Sequence, residues 1–280
     1  MEHLFLRWNK LSDKVKRAEH ILLLSDFDGT LSPIAKKPEL ATLPELTKTR
    51  LQELTQIPRL TLGVISGRNI KDLQQKTGIN DIIYTGNHGL QIESPGIHFV
   101  HPIAETAAEI LSGMSDDMKL FFSENEGILV ENKGLTLSLH YRLADETQIE
   151  EITRIFNSIT APFVSSGKIK ITSGKKVYEV RPAVDWDKGK AIEYIVQKLG
   201  FKSKPLVLYM GDDVTDYAAF RATNKLAGIS IYVGQENINI PARYFLYSPE
   251  EVSFFLEKLT DLFASPKPEP PNKYDGDTTF

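Results

Sequence analysis

Asp26 and Asp28 are the residues whose types and spacing point most directly to chemistry. They follow the apolar run Ile21–Ser25 and stand directly before Gly29. A short apolar run that ends at Asp and Gly is typical of a buried parallel strand leading into a tight loop. Side chains two residues apart in extended chain point to the same side, so the two carboxylates would meet, at an electrostatic cost unless a proton or a cation lies between them. A solvated turn capped by aspartates is the alternative, but the strongly apolar strand favours a functional site.

Composition and charge exclude several classes of protein. The chain has 280 residues, of which 41% are hydrophobic and 25% charged, with a formal net charge of −4. This predicts one large or two modest globular domains and no basic surface for nucleic acid. The absence of cysteine excludes disulfides, thiolate catalysis and cysteine-ligated zinc. No apolar run approaches the roughly 18–20 residues of a membrane span, and the first ten residues lack the order of a signal peptide. We expect a cytoplasmic protein without a membrane segment.

Polar residues also follow three other predicted strands, and a lysine begins a predicted helix. These are Ser66-Gly67-Arg68, Asn87-His88, Asp212-Asp213 and Lys188. The carboxyl ends of parallel strands lie at one edge of a sheet, so we expect these groups to lie near Asp26 and Asp28. Together they offer carboxylates for Mg²⁺, a hydroxyl and amides for a phosphate, and a lysine, which are the requirements of phosphoryl transfer. Each motif alone is a weak signal, since SGR is common and Lys188 by itself suits a solvated helix.

The order of predicted elements indicates two domains. Short strand–loop–helix units before residue 102 and after residue 182 predict a parallel α/β sheet. Between them, segments 127–131 with 135–141, and 168–172 with 176–180, alternate in the manner of two hairpins, each beside a helix. We predict an α/β core of residues 1–102 and 182–264, a smaller inserted α/β cap of residues 103–181, and a disordered tail of residues 265–280.

The motifs themselves resemble a known family. DFDGT, SGR, the lysine of WDKGK and GDDVTD are similar to the haloacid dehalogenase superfamily of phosphatases. GNHG, VENKG, LHYR and YEVRP resemble more closely the trehalose-6-phosphate phosphatases. The resemblance implies a Rossmann-like parallel-sheet core with an α/β cap inserted between the second and third motifs. It also implies a Mg²⁺-dependent phosphatase that hydrolyses a disaccharide phosphate.

The resemblance also implies roles for individual residues in the core. Asp26 would be the nucleophile that forms an aspartyl-phosphate, and Asp28 the general acid and base. Mg²⁺ would be held by Asp26, by the backbone carbonyl of Asp28 and by Asp212, with Asp213 in support and Asp216 as a further possibility. The phosphoryl oxygens would be held by Ser66, the Gly67 amide and Lys188.

The resemblance places the recognition of the sugar mainly in the cap. The implied substrate-binding residues are Glu131, Lys133 and Glu179 of the cap and Arg68, Asn87 and His88 of the core. From the residues alone, the favoured interpretation of Glu131 and Lys133 is a surface hairpin pair, and that of His88 is a capping role in its loop. His140, in an alternating strand, has the pattern of a structural histidine.

One residue departs from the family pattern. The family string usually reads GDD-x-TDE, whereas this chain has Tyr217 in place of the glutamate. The expected substrate is trehalose 6-phosphate, and the phosphates of glucosylglycerol, glucosylglycerate or sucrose are the alternatives. A phosphomutase and a non-catalytic domain that regulates a sugar-phosphate synthase are the other readings, and the presence of both Asp26 and Asp28 disfavours the second. The predicted partners are a small sugar phosphate and, unless the chain acts as a monomer, a sugar-phosphate synthase.

Overall fold

The computed structural model describes residues 1–174 and 176–264. The strands are β1 (Glu2–His3), β2 (Ile21–Ser25), β3 (Leu60–Ile65), β4 (Ile83–Gly86), β5 (Gln91–Ser94), β6 (Ile97–Val100), β7 (Leu129–Asn132), β8 (Leu137–His140), β9 (Ile169–Gly174), β10 (Val177–Pro182), β11 (Leu206–Gly211), β12 (Ile229–Val233) and β13 (Tyr244–Leu246). The α-helices are α1 (Trp8–Arg17), α2 (Glu45–Thr55), α3 (Ile70–Thr77), α4 (Pro102–Phe121), α5 (Ile149–Ser165), α6 (Lys188–Leu199), α7 (Tyr217–Lys225) and α8 (Pro249–Asp261).

A sheet of nine strands forms the larger part of the described chain, in the order β1-β13-β12-β11-β2-β3-β4-β5-β6. Counted in this sheet order, the first seven strands, from β1 to β4, are paired in parallel. Strands β5 and β6 add an antiparallel edge. Strand β2 lies between β11 and β3, with Ser25 opposite both Met210 and Val64. The motif that follows β2 therefore emerges at the middle of the sheet, next to the motifs that follow its neighbours.

Both faces of strand β2 are buried, which explains its unbroken apolar sequence. Leu23 packs in the hydrophobic cluster on one face of the sheet, and Leu22 and Leu24 pack in the cluster on the other. Alternate side chains of a strand point to opposite faces, so a strand covered on both sides needs apolar residues at every position. Every residue of β2 is buried, and this fixes the position of the loop that carries Asp26.

A second, four-stranded sheet in the order β7-β8-β10-β9 lies in the chain between β6 and α6. Its pairings are antiparallel. Leu111 and Met114 of α4 and Phe156 of α5 share a separate hydrophobic cluster with Leu137 and Val180 of this sheet. This unit begins with α4 at Pro102 and ends with β10 at Pro182. We refer to it as the cap, and its predicted limits at residues 103–181 stay a prediction.

The α/β class with a large parallel sheet is confirmed, and the main difference concerns residues 91–100. The sequence analysis assigned no strands there, whereas β5 and β6 form a hairpin around Pro95 and Gly96. Within the described ranges, no helix has the length and apolar character needed to cross a bilayer. The predicted disordered tail, 265–280, lies outside the described residues.

Candidate active site

Asp26 lies where the buried strand β2 ends. Its backbone N–H donates to the carbonyl of Met210 at 2.8 Å, which ties the loop to β11. Its side chain is 9% exposed, and its Oδ1 accepts a hydrogen bond of 2.7 Å from Lys188 Nζ. Among the described residues this is the only hydrogen bond to the carboxylate, so a second oxygen remains available to a ligand. Such a carboxylate has the position and the freedom that a nucleophile requires.

Three carboxylates meet at this end of the sheet. One oxygen from each of Asp26, Asp212 and Asp216 lies within 4.8 Å of the others. Burial raises the pKa of Asp26 well above its usual value despite Lys188, and Asp216 and Asp212 raise it further. Burial, together with Asp216, raises the pKa of Asp212 to about 7. One lysine does not balance three carboxylates, so the cluster carries excess negative charge when all three are ionised, and a cation would offset it.

The approach of Asp212 to the first loop requires the glycine of the DFDGT motif. Gly29 has a φ of +82°, and a Cβ at this position would lie 2.1 Å from Oδ2 of Asp212. The hydroxyl of Thr30 also faces Asp212, at 3.4 Å from its Oδ1. Gly29 therefore serves two purposes, because it permits the left-handed backbone and leaves space for a carboxylate.

Asp216 is the most fully bonded carboxylate of the cluster. Its Oδ1 accepts from Lys188 Nζ and from the hydroxyl of Tyr209, each at 2.6 Å. Its Oδ2 accepts from the backbone amides of Asp212 and Asp213, each at 3.0 Å. With both oxygens occupied and the side chain 0% exposed, Asp216 holds Lys188 and the loop in place. Asp213, predicted in support of the metal, is exposed and lies outside the cluster.

The cluster fits Mg²⁺ in its chemistry. Mg²⁺ prefers oxygen ligands and is usually held by one or two carboxylates together with water and phosphate oxygens. Asp26 and Asp212 offer such oxygens, and the crowding of the three carboxylates gives a physical reason for a cation to bind here. Asp26 and Asp212 would hold the ion, and Asp216 would keep Lys188 beside it.

The predicted phosphate-binding residues lie around Asp26. Ser66 directly follows β3 and is 2% exposed; its Oγ accepts from the N–H of Arg68 at 3.2 Å. A Cβ on Gly67 would lie 2.6 Å from the ring of His88, so only glycine leaves space for that ring. Lys188 opens α6, after Asp187 caps the helix by accepting from the N–H of Lys190. Burial opposes the charge on Lys188, but Asp216 and Asp26 outweigh it and raise its pKa.

The side chain of Arg68 is bonded within the core, mainly to Asp28. Its Nε and Nη2 donate to the two oxygens of Asp28 at 2.6 and 2.7 Å, and its Nη1 donates to Asp72 at 2.6 Å. Nη2 also donates to the carbonyl of Pro38 at 2.9 Å. All three guanidinium nitrogens are thus engaged within the core, and Arg68 is 7% exposed. The side chain therefore orients Asp28, and its predicted contact with substrate stays a prediction.

The three predicted sugar-binding residues of the cap lie together. Lys133 Nζ is 3.4 Å from Glu179 Oε1 and 3.9 Å from Glu131 Oε2. Glu131 also accepts from His140 at 2.9 Å, which gives that histidine a partner in the group. Burial works against the ionisation of Glu131, but His140 and Lys133 outweigh it and lower its pKa. This group of two carboxylates and an ammonium suits a ligand that is rich in hydroxyls.

Asn87 and His88 join the core to the cap. The side chain of Asn87 accepts from Thr136 at 2.8 Å and donates to the carbonyl of Lys133 at 3.3 Å. His88 Nε2 is 3.0 Å from Glu179 Oε1. Burial lowers the pKa of His88, so the neutral ring donates from Nε2. Both residues have positive φ, 50° and 58°, a conformation that costs energy in residues with a side chain.

Four residues in or near the site were not assigned a firm functional role from the sequence. Asp216 stands in the GDDVTD motif and was only an open possibility, while His140 was given a structural role. Tyr209 lies inside the buried strand β11, where nothing in the pattern distinguishes it from its apolar neighbours. Arg181 stands in YEVRP, and its burial could be recognised only from the three-dimensional structure.

Comparisons with known proteins agree with this geometry. The family described as Trehalose-phosphatase matches residues 24–250. Over 247 residues the chain is 34% identical to the trehalose-phosphate phosphatase of Mycobacterium marinum, covering 86% of this chain and 61% of the relative. Over 257 residues it is 29% identical to trehalose-phosphate phosphatase B of Arabidopsis thaliana, covering 88% and 67%.

A solved structure shows the same fold. The C-terminal domain of the trehalose-6-phosphate phosphatase of C. albicans has a TM-score of 0.76 and 24% identity, covering 90% of this chain and 96% of that one. The chain spans about 60% of the length of the mycobacterial relative and 67% of the plant relative. The family match extends over most of the chain and includes both sides of the cap. The chain therefore belongs to the trehalose-phosphatase family of phosphoric monoester hydrolases.

Proposed function

We propose that the protein hydrolyses trehalose 6-phosphate to trehalose and phosphate, with Mg²⁺ as cofactor and an aspartyl-phosphate at Asp26 as intermediate. The main support for this proposal is the buried Asp26 carboxylate. It lies 2.7 Å from Lys188 Nζ and in one cluster with the Asp212 carboxylate. The names of the relatives support the substrate. The oxygen ligands and raised pKa values of the cluster support the metal.

The first half of the reaction transfers the phosphoryl group to the protein. The free oxygen of Asp26 attacks phosphorus, and the bond between phosphorus and the sugar oxygen breaks. Asp28 donates a proton to the departing sugar oxygen. Ser66, the Gly67 amide and Lys188 hold the phosphoryl oxygens, and Mg²⁺, when bound, offsets the charge between carboxylate and phosphate.

The second half returns the protein to its starting state. Asp28, now ionised, takes a proton from water, and the water oxygen attacks phosphorus. The bond between phosphorus and Asp26 breaks, which releases inorganic phosphate and a free carboxylate. Two displacements at one aspartate explain why two carboxylates with different partners stand two residues apart, Asp26 with Lys188 and Asp28 with Arg68.

Recognition of the sugar is assigned to the cap residues Glu131, Lys133 and Glu179. They lie at the junction of cap and core, beside His88, which itself packs on Gly67 of the phosphate loop. A ligand that enters here would meet the phosphate loop with one end and the charged cap group with the other. Selectivity for one glycoside phosphate then depends on hydroxyls that satisfy these charges.

The test is phosphate release from a panel of purified substrates in the presence of Mg²⁺. The panel comprises trehalose 6-phosphate, sucrose phosphate, glucosylglycerol phosphate, glucosylglycerate phosphate and glucose 6-phosphate. We expect the highest kcat/KM on trehalose 6-phosphate, and Asp26→Asn is the inactive control. A higher kcat/KM on another glycoside phosphate would move the substrate assignment there. Phosphate transfer to a second sugar in place of release would indicate a phosphomutase, and no turnover at all would support a regulatory domain.

We also infer a cytoplasmic location, and a chain that works as a monomer or beside a sugar-phosphate synthase. The first inference rests on the acidic, cysteine-free composition. Gel filtration of the protein alone and with a synthase tests the second, and co-elution would support the association.

A further inference from the structure

A cavity of about 390 Å³ lies beside the reaction centre, where the last cap strand β10 meets the start of α6 and the residues that lead into α7. We call it the Arg181 cavity. It is lined by His88, Arg181, Asp187, Lys188, Val214, Thr215, Tyr217, Ala218 and Arg221. It shares Lys188 and His88 with the surroundings of the phosphate loop, but Asp26, Ser66 and Gly67 are not in its lining. The cavity therefore adjoins the phosphoryl site and shares two residues with its surroundings.

Arg181 is a buried cation without a hydrogen-bonded partner. It is 9% exposed, and its Nε is buried and unpaired. No hydrogen bond or ion pair of its guanidinium is present within the described residues. A buried charge without a bonded partner is strongly destabilising in proteins. A guanidinium in this condition, facing a cavity, calls for an anionic ligand.

The carboxylates near Arg181 are already engaged. Glu179 accepts from His88 at 3.0 Å and faces Lys133 at 3.4 Å. Asp187 caps α6 by accepting from the N–H of Lys190 at 2.9 Å. Both lie close enough to favour the charge on Arg181 electrostatically, yet neither forms a hydrogen bond with it. The need of Arg181 for a bonded partner is therefore not met by the protein itself.

The lining of the cavity is positively charged overall. Arg181 and Arg221 contribute two positive charges against the single carboxylate of Asp187. The charge of Lys188 is paired with Asp26 and Asp216. Arg221 is exposed at the α7 side, where Tyr217 stands beside it. Arginine binds tetrahedral oxyanions through paired N–H donors, and this geometry is the usual means of phosphate recognition.

We propose that the Arg181 cavity is a second anion-binding site that takes a tetrahedral oxyanion, with Arg181 as the main ligand and Arg221 at the entrance. The oxyanion is a phosphate, either free or carried as a second phosphoryl group by a sugar. The nitrogen of Lys188 is held by Asp26 and Asp216 at 2.7 and 2.6 Å, so it belongs to the reaction centre, and the oxyanion is held by the two arginines. The proposal goes beyond the hydrolytic function and does not depend on turnover.

The test separates the two anion sites by filling the first. Beryllium fluoride with Mg²⁺ mimics a phosphoryl group on Asp26, and fluorine NMR reports whether it binds. Inorganic phosphate is then titrated into the trapped protein by calorimetry. We expect one phosphate per chain, with at least a tenfold loss of affinity in Arg181→Gln, a smaller loss in Arg221→Gln and no change in Lys225→Gln. Lys225 is a suitable control because it is an exposed cation paired with Glu193 on the same surface.

The titration results decide whether the second anion site exists. The absence of phosphate binding to the trapped protein, or unchanged affinity in both Arg181→Gln and Arg221→Gln, would refute the second site. If Arg181→Gln fails to fold, Arg181→Lys keeps the charge without the paired donors and must still weaken binding. If beryllium fluoride does not bind, the aspartyl-phosphate mechanism is at fault, and titration of the untreated protein still tests Arg181.

A comparison of ligand binding distinguishes the two sources of the oxyanion. The monophosphate and the bisphosphate of one sugar are compared as ligands of the wild type and of Arg181→Gln. Weaker binding of the bisphosphate alone assigns the site to a second phosphoryl group. Weaker binding of free phosphate, with both sugars unchanged, assigns it to the product.

Discussion

The contact between Arg68 and Asp28 leads to a sharp prediction about proton transfer. Arg68 holds both oxygens of Asp28, at 2.6 and 2.7 Å, in a fork that only a guanidinium can form. Arg68→Lys keeps the positive charge but can reach one oxygen from one direction. The substitution therefore removes orientation without removing charge, and it should affect only the steps that need Asp28 in place.

The two hydrogen bonds between Arg68 and Asp28 give the expected size of the effect of Arg68→Lys on proton transfer. A charged hydrogen bond is worth about 1.5–3 kcal/mol when it is buried, but the Asp28 side chain is 38% exposed. Solvent screening reduces the value to about 1 kcal/mol for each bond. Loss of the fork then removes about 1–2 kcal/mol of restraint on Asp28, a factor of about 5–30 in the oriented population. This lies within the total of about 10²–10⁴ that acid–base help contributes.

The assay compares leaving groups in the first turnover. A sugar oxygen needs a proton as it leaves, whereas p-nitrophenolate leaves without one. Rapid-quench kinetics should show formation of the aspartyl-phosphate slowed about 5–30-fold for the sugar phosphate in Arg68→Lys. The burst of p-nitrophenol from p-nitrophenyl phosphate should be unchanged. Asp28→Asn serves as the reference for complete loss of proton donation, and its effect should follow the same pattern at larger size.

A matched control is Arg50→Lys, since Arg50 pairs with Glu257 at 2.8 Å in another part of the core and is 17% exposed. This variant should leave both first-turnover rates unchanged. Equal losses on the two substrates in Arg68→Lys would refute the reasoning, because they would show that Arg68 supports the fold of the phosphate loop and not the orientation of Asp28.

Three further predictions concern the nucleophile, the metal and the cap. Asp26→Asn should abolish steady-state phosphate release, since an amide cannot form an acyl phosphate; residual turnover above a hundredth of wild type would contradict the role. Burial, together with Asp216, raises the pKa of Asp212 to about 7, above the ordinary aspartate pKa of about 3.9. The folded metal-free protein therefore binds a proton that the unfolded chain releases, and its stability should fall as pH rises from about 4 to about 7. Mg²⁺ needs the ionised group, so thermal melting should show a larger gain in Tm on adding Mg²⁺ at pH 8 than at pH 5, and a gain independent of pH would count against this site. Glu131→Ala and Lys133→Ala should each lower kcat/KM on the disaccharide phosphate by about 10–150-fold, the worth of a hydrogen bond to a charged group, and leave p-nitrophenyl phosphate unaffected; equal losses on both would assign them to the fold of the cap.

Much of the core site was predictable because the sequence marks it locally. A buried parallel strand needs apolar residues throughout, so the strand ends that precede Asp26, Ser66 and Asp212 are visible in the pattern. Since such ends share one edge of the sheet, their approach follows without knowledge of side-chain contacts. Lys188 was placed with them by the resemblance, and the structure brings its nitrogen to Asp26.

Other features depend on contacts between distant segments. Nothing in the sequence indicates that Asp28 and Asp72 lie close enough to accept from every nitrogen of the Arg68 guanidinium. The central role of Asp216 depends on Tyr209, a residue of a buried strand with no sequence signal. The hairpin of β5 and β6 could have been found from the Ser-Pro-Gly turn within an alternating stretch.

Proline stands at both crossings between core and cap. The cap is entered at Pro102, the first residue of α4, and left at Pro182, the last of β10. Proline fixes φ near −65°, so each link has lost one of its two soft torsions at that residue. Motion between cap and core must pass through these two links, and each proline leaves less freedom there than an ordinary residue would. Glu131, Lys133 and Glu179 all stand between the two prolines, so any such motion would carry the three residues together.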